Sequence, residues 1–162
     1  MSIKIGQKLP DSTLYKLGKS GPETTKLSSL YTNRKLAIFA LPGAFTPTCS
    51  QSHLPTIIEA AAGLYKKGID EILCVSVNDP HVVAAWGKIS GSTAAGITML
   101  GDPTSEFTKS IGMEFDAPAV GFFARSKRYA MFANNGVVKI FLPETARSTC
   151  EISSGRALLD NI

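Results

Sequence analysis

The sequence predicts an α/β fold, a central mixed β-sheet flanked by helices on both faces, and three observations predict it. Strand-like and helix-like segments alternate through the first two-thirds of the chain, the order that builds parallel strands joined by helical crossovers. Two apolar runs around Asn134-Asn135-Gly136, Tyr129–Ala133 and Val137–Phe141, then read as an antiparallel hairpin. No repeat, low-complexity tract or linker divides the 162 residues, so a single domain, residues 1–162, with a substantial core is expected.

Each element has its own signal. The first thirty residues are turn-rich, with Gly6, Pro10, Gly18 and Gly21-Pro22 marking short extended pieces and a hairpin. Lys35–Leu41 (KLAIFAL) is an apolar run that reads as a buried strand. A helix follows from about Thr48 to Lys67, kinked at Pro55, which lacks a backbone donor, and terminated by Gly68. Glu71–Val77 (EILCVSV), apolar and partly β-branched, is expected to be a central parallel strand. Asn78-Asp79-Pro80 caps a helix reaching about Lys88, Ile97–Leu100 is a further strand, and Asp102-Pro103 opens a short helix over Thr104–Ile111. The closing ISSGRALLDNI is a short helix weakened by Gly155.

Composition narrows the functional classes. With 17 basic and 13 acidic residues the net charge is +4, and the cations are scattered in ones and twos. The densest groups, Lys66-Lys67 and Arg125 with Lys127-Arg128, do not interleave with aromatics, so no nucleic acid is expected as a partner. The N-terminal stretch lacks both a signal core and an Arg-rich presequence, and no apolar run spans a membrane. A cytoplasmic protein is expected, or an organellar one if a presequence has been removed. Three cysteines, Cys49, Cys74 and Cys150, form no Cys-Xaa-Xaa-Cys pair and no disulfide framework, which suits reactive thiols in a reducing compartment. The two histidines, His53 and His81, are too isolated for a metal site, so no metal or other cofactor is expected.

The stretch LPGAFTPTC, residues 41–49, carries the chemistry. It places Cys49 where a strand-to-helix loop enters the first helical turn, and the unpaired N–H groups there favour an anion. Thr46 offers a hydroxyl one turn upstream, while Pro42 and Pro47 stiffen the loop and remove competing donors. His53, four residues on, shares a helical face with Cys49, but with no oxyanion partner in sight it is expected to be exposed or peripheral. Trp86 is expected in the core or at an interface. A tyrosine phosphatase would need arginine where Pro55 stands, and a thioredoxin-type oxidoreductase would need cysteine in place of Ser52.

Pro42, Thr46 and Cys49 fill the pattern Pro-Xaa-Xaa-Xaa-Thr-Xaa-Xaa-Cys, and the longer string PGAFTPTC followed by Ser50 resembles the type II (peroxiredoxin-5-like) peroxiredoxins. Further matches run in order through IGQKLPDSTL, EILCVSVNDP, KRYAMF and NNGVVKIF. The resemblance implies a thioredoxin-like fold and a thiol-dependent peroxidase acting on hydrogen peroxide and alkyl hydroperoxides through a Cys49 sulfenic acid. It gives Thr46 a hydrogen-bonding role at sulfur and peroxide, and Pro42 a shielding role. The Gly43 backbone would approach the peroxide, and Arg128 would serve as the active-site cation. Arg125 competes for that last role, because the preceding FDAPAVGFF departs from the family's lead-in; otherwise it is read as surface or dimer charge. For resolution the resemblance offers Cys150 in a C-terminal loop, Cys74 in a strand, or an external thiol from thioredoxin or from glutaredoxin and glutathione. It also implies a homodimer, with Phe45 and Phe123 as candidate contact residues. A peroxide-sensing relay that passes its oxidation to a partner protein shares the first chemical step and stays open.

Overall fold

A computed structural model describes all residues, Met1–Ile162. Nine strands form two sheets. β1 (Thr13–Gly18), β2 (Gly21–Lys26), β3 (Lys35–Ala40), β4 (Glu71–Ser76), β5 (Ile97–Gly101), β8 (Tyr129–Asn134) and β9 (Val137–Pro143) make the main sheet, in the order β2-β1-β5-β4-β3-β8-β9. Its centre, β5-β4-β3, is parallel, and both flanks are antiparallel, so the mixed sheet expected from the element order is present.

Alternation along β3 shows how that sheet acquires two faces. Ala37, Phe39 and Leu41 pack into one core, while Leu36, Ile38 and Ala40 pack into the other. The first core lies under α2 (Leu54–Lys66), α3 (Pro80–Ser90) and α5 (Gly155–Asn161); the second is covered by α1 (Leu27–Tyr31), α4 (Glu106–Ser110) and the N-terminal segment. A strand buried on both sides has no solvent face to keep polar, which is why KLAIFAL reads as a continuous apolar run.

Local chemistry sets the boundaries. Asp79 caps α3 by accepting from the His81 and Val82 amides, Pro80 takes the first turn, and left-handed Gly91 ends it. Asn135 and Gly136, both at positive φ, close the β8-β9 hairpin. Pro55 perturbs its helix differently from the expected kink: the five residues before α2, Cys49–His53, form a π-turn, and Pro55 sits in the first turn of the α-helix proper. The missing proline donor is absorbed where the hydrogen-bonding pattern is already changing. Gly155 also differs from its expected role as a weakness. A Cβ there would run into the backbone of Thr56 and Ile57, so glycine is what lets α5 dock closely on α2. Its N–H donates to Thr56 Oγ1 at 3.0 Å.

A second, two-stranded ribbon goes unannounced by the sequence: β6 (Glu114–Ala117) and β7 (Phe122–Ser126), joined through a 3-10 turn at Pro118–Val120. It carries FDAPAVGFF to the mouth of the loop that holds Cys49. No helix is long and apolar enough to cross a membrane.

Candidate active site

β3 delivers the chain to Leu41, and the loop that follows is fastened from three sides. Asn78 Oδ1 accepts from the Ala44 amide at 3.0 Å, Arg125 Nη1 donates to the Pro42 carbonyl at 3.2 Å, and Thr46 Oγ1 donates to the Gly43 carbonyl at 2.7 Å. Arg125 lies so close over Gly43 that a side chain at that position would collide with its guanidinium. Phe45 adopts a left-handed backbone, φ 63°, a conformation that costs a bulky residue strain and is tolerated here by the surrounding anchors. Trp86, in the core as expected, donates from Nε1 to Ser50 Oγ at 3.1 Å and braces the π-turn from below.

Cys49 is 1% exposed at the start of that turn. Arg128 comes from the residue just before β8, 79 positions away, and its Nη2 donates to Cys49 Sγ at 3.3 Å. Of the two arginines, Arg128 touches the sulfur, and Arg125 donates to the loop backbone at Pro42. A permanently charged guanidinium thus offers the sulfur a charge-assisted hydrogen bond in a buried site.

His53 is the functional residue that sequence reasoning missed. It is fully buried, contrary to the expected exposed or peripheral placement. Arg128 Nη1 donates to its Nδ1 at 2.9 Å, and its Nε2 donates to the Ser153 carbonyl at 2.8 Å. The two partners fix the neutral tautomer with the proton on Nε2. Burial first, and then the Arg128 charge, push its pKa down to about 4. His53 therefore acts as an acceptor that aims Arg128 at Cys49, without bonding the sulfur itself. An arginine and an acceptor one helical turn after the cysteine were legible as residues, but their meeting depends on β8 lying next to β3.

The C-terminal segment completes the clamp. Arg128 Nη2 also donates to the Arg147 carbonyl at 3.2 Å. Glu144 ties down the loop beyond, accepting from Ser153 N, Ser153 Oγ and Thr149 Oγ1 at 2.8, 3.0 and 2.9 Å. Burial works against its ionisation, but these hydrogen bonds outweigh it and hold the carboxyl below its usual range.

The other sequence-predicted residues fall as follows. Pro42 is buried beside Cys49, and both line a cavity of about 260 Å³ together with Thr46, Arg128 and Phe122. Thr46 makes no hydrogen bond to Cys49, because its hydroxyl proton is directed to Gly43 O. Cys74 lies in β4 between Phe39 and Met99, and burial pushes its thiol far up. Cys150 is half-buried in the C-terminal loop; burial raises its thiol pKa, and nearby Arg128 opposes the rise. All three thiols are free. Phe45, in the loop itself, and Phe123 are exposed, as is Val120, which lines the cavity over Cys49.

Known proteins resemble this chain over most of its length. The Redoxin family model matches residues 4–158. The chain is 46% identical over 143 residues to peroxiredoxin-2E-2, chloroplastic, of Oryza sativa subsp. japonica, across 86% of this chain. The match covers 64% of that relative, just under two thirds of its length. The structure of reduced Prx3 in complex with H2O2 from Vibrio vulnificus superposes with a TM-score of 0.91 at 43% identity, covering 98% of both chains. A Burkholderia cenocepacia protein provisionally described as a thioredoxin reductase superposes with a TM-score of 0.94 at 38% identity, covering 100% of this chain and 99% of the other. This chain contains no Gly-Xaa-Gly and no Cys-Xaa-Xaa-Cys, the elements that a dinucleotide-dependent dithiol reductase would use.

Proposed function

Because the chain belongs to the redoxin family, among its type II peroxiredoxins, we propose that it is a thiol-dependent peroxidase for hydrogen peroxide and alkyl hydroperoxides. One observation carries the reading: a buried cysteine at the start of a helical run with an arginine Nη 3.3 Å from its sulfur. The Cys49 thiolate attacks the terminal peroxide oxygen; an S–O bond forms as the O–O bond breaks. The electron pair leaves on the departing oxygen, which takes a proton to become water or an alcohol, and Cys49 is left as a sulfenic acid. Arg128 faces both the sulfur and the charge that moves onto the leaving oxygen. Thr46, donating to Gly43 O, keeps hydroxyl lone pairs able to accept the peroxide hydrogen. Pro42 limits access of bulk water, and the bare Gly43 backbone leaves room for the Arg125 guanidinium that anchors the loop.

A thiol then condenses with the sulfenic acid, releasing water and forming a disulfide that further thiol reduces. Cys150 suits that step better than Cys74, since it sits on a surface loop and Cys74 is locked in a central strand. Thioredoxin or glutaredoxin with glutathione supplies the reducing equivalents, in a cytoplasmic or organellar reducing compartment. The exposed Phe45, Phe123 and Val120 form the face offered to a second copy in a homodimer.

Peroxide consumption with dithiothreitol, thioredoxin/reductase and glutathione/glutaredoxin tests the reading, comparing the wild type with Cys49→Ser, Cys74→Ser and Cys150→Ser. Loss of turnover in Cys49→Ser alone assigns an external resolving thiol. Additional loss of thioredoxin-linked turnover in Cys150→Ser, with the dithiothreitol rate kept, assigns Cys150. A wild type inactive with every reductant refutes the peroxidase and favours a relay that needs its own partner protein.

A further inference from the structure

The cavity over Cys49 is larger than the smallest peroxide requires. Its volume is about 260 Å³, whereas a water molecule occupies about 30 Å³ of liquid and hydrogen peroxide has only one heavy atom more. Its walls are also mixed. Pro42, Pro47, Val120 and Phe122 supply apolar surface, Thr46, Thr48 and Ser148 supply hydroxyls, and Arg147 joins the lining beside Phe122.

The cations around this opening are not equally free. Arg128 is engaged with Cys49, His53 and the Arg147 carbonyl. Arg125 is engaged with the Pro42 carbonyl, and its guanidinium lies 5.2 Å from the Phe122 ring centroid. Arg147 lies over the same ring at 5.7 Å, is exposed, and makes no side-chain hydrogen bond or ion pair. A neighbouring cavity of about 200 Å³ shares Pro42, Arg128 and Arg147 and adds Lys127. The one acid lining either space, Glu144, is occupied by Ser153 and Thr149. The opening over the sulfur thus combines apolar surface with a guanidinium whose fork is steadied on an aromatic ring and is paired with no carboxylate.

Resting on the peroxidase reading, we propose that the site favours hydroperoxides that carry a carboxylate on an apolar body, with Arg147 receiving the carboxylate while the peroxide end reaches Cys49. The same chemistry would attract a carboxylate-bearing thiol reductant such as glutathione, so the test isolates the oxidation step. Reduced protein, freed of reductant, is mixed in single turnover with cumene hydroperoxide or its para-carboxylate analogue, and loss of the Cys49 thiol is followed by rapid quench and alkylation. The readout is the ratio of the two second-order rate constants, for the wild type, Arg147→Gln and Arg147→Glu.

The wild type should prefer the carboxylate about threefold to fivefold, the range of one exposed ion pair. The ratio should fall to about one in Arg147→Gln and below one in Arg147→Glu, and the wild-type preference should shrink between about 20 mM and about 500 mM salt. Because each ratio is taken within one protein, a general loss of activity in a variant cancels. A wild-type ratio at or below one, or a ratio unchanged in both variants, overturns the proposal while the cumene hydroperoxide reaction still upholds the peroxidase. A preference for anions seen only during turnover with glutathione moves the carboxylate to the reductant and also overturns it. No reaction with either peroxide removes the peroxidase reading beneath it.

Discussion

Replacing His53 by asparagine tests whether a neutral, buried imidazole couples the fold and the thiol to acid. In the folded chain its pKa lies at about 4 against an ordinary 6.5. Between those values the unfolded chain binds a proton that the folded chain refuses, so stability rises with pH across this window and is lost as pH falls. With those two constants the linkage relation gives about 2–3 kcal/mol lost by about pH 4.5 relative to neutral pH. Asparagine does not titrate, so that component should vanish from the variant whatever its absolute stability. The assay is urea unfolding at about pH 7 and pH 4.5 for both proteins, comparing the two differences in unfolding free energy. Peroxide reduction by the wild type should instead persist through that window and fail only as pH falls through about 4, where the folded chain accepts the proton: protonation at Nδ1 removes the acceptor for Arg128 and sets two cations 2.9 Å apart. Equal pH dependence of stability in wild type and variant would refute the reasoning.

Three other outcomes are expected. Arg128→Gln removes a charged hydrogen bond to sulfur, typically about 1.5–3 kcal/mol, and the second-order rate with hydrogen peroxide should drop by about one to two orders of magnitude; a near-native rate in stopped-flow mixing would contradict the role of the contact at 3.3 Å. Gly155→Ala forces a methyl group into the backbone of Thr56 and Ile57. It should cost about 1–3 kcal/mol, read as a lower calorimetric Tm, and an unchanged Tm would show that α5 does not need so close an approach. In native protein a small alkylating reagent should label Cys150 well before Cys74, since Cys74 is 1% exposed in a central strand; mass spectrometry showing equal labelling would mean that β4 opens readily.

The parts of the fold legible in the sequence were those governed by near neighbours. The Asn135-Gly136 turn, the Asp79-Pro80 cap and the doubly buried run of β3 each depend on residues a few positions apart, so pattern alone placed them. The β6-β7 ribbon was illegible because FDAPAVGFF pairs across a 3-10 turn with a bulge, and has neither strand alternation nor a hairpin dipeptide. At the site, the loop and its cysteine were readable as a motif, whereas His53 was misplaced for a definite reason. A lone histidine among helical residues looks like a surface group unless its partners are known, and those partners, Arg128 and Ser153, lie 75 and 100 residues away. The anchoring of Arg125 was illegible on the same grounds, since Pro42 is 83 positions distant.

The clamp on Arg128 has a consequence for how this protein comes into being. Cys49 and the loop that holds it leave the ribosome about a hundred residues ahead of Arg147 and Ser153, whose carbonyls fix the arginine directly and through His53. At about 5–20 residues per second, that interval is on the order of 5–20 s. Throughout it the nascent thiol has no arginine aimed at it and reacts as an ordinary cysteine, which alkylation of ribosome-stalled chains of increasing length would register as a step once the segment with Arg147 and Ser153 docks. The stretch that holds Arg147 and Ser153 is thus the one that fixes the arginine on Cys49, and a chain abandoned before it is left chemically quiet.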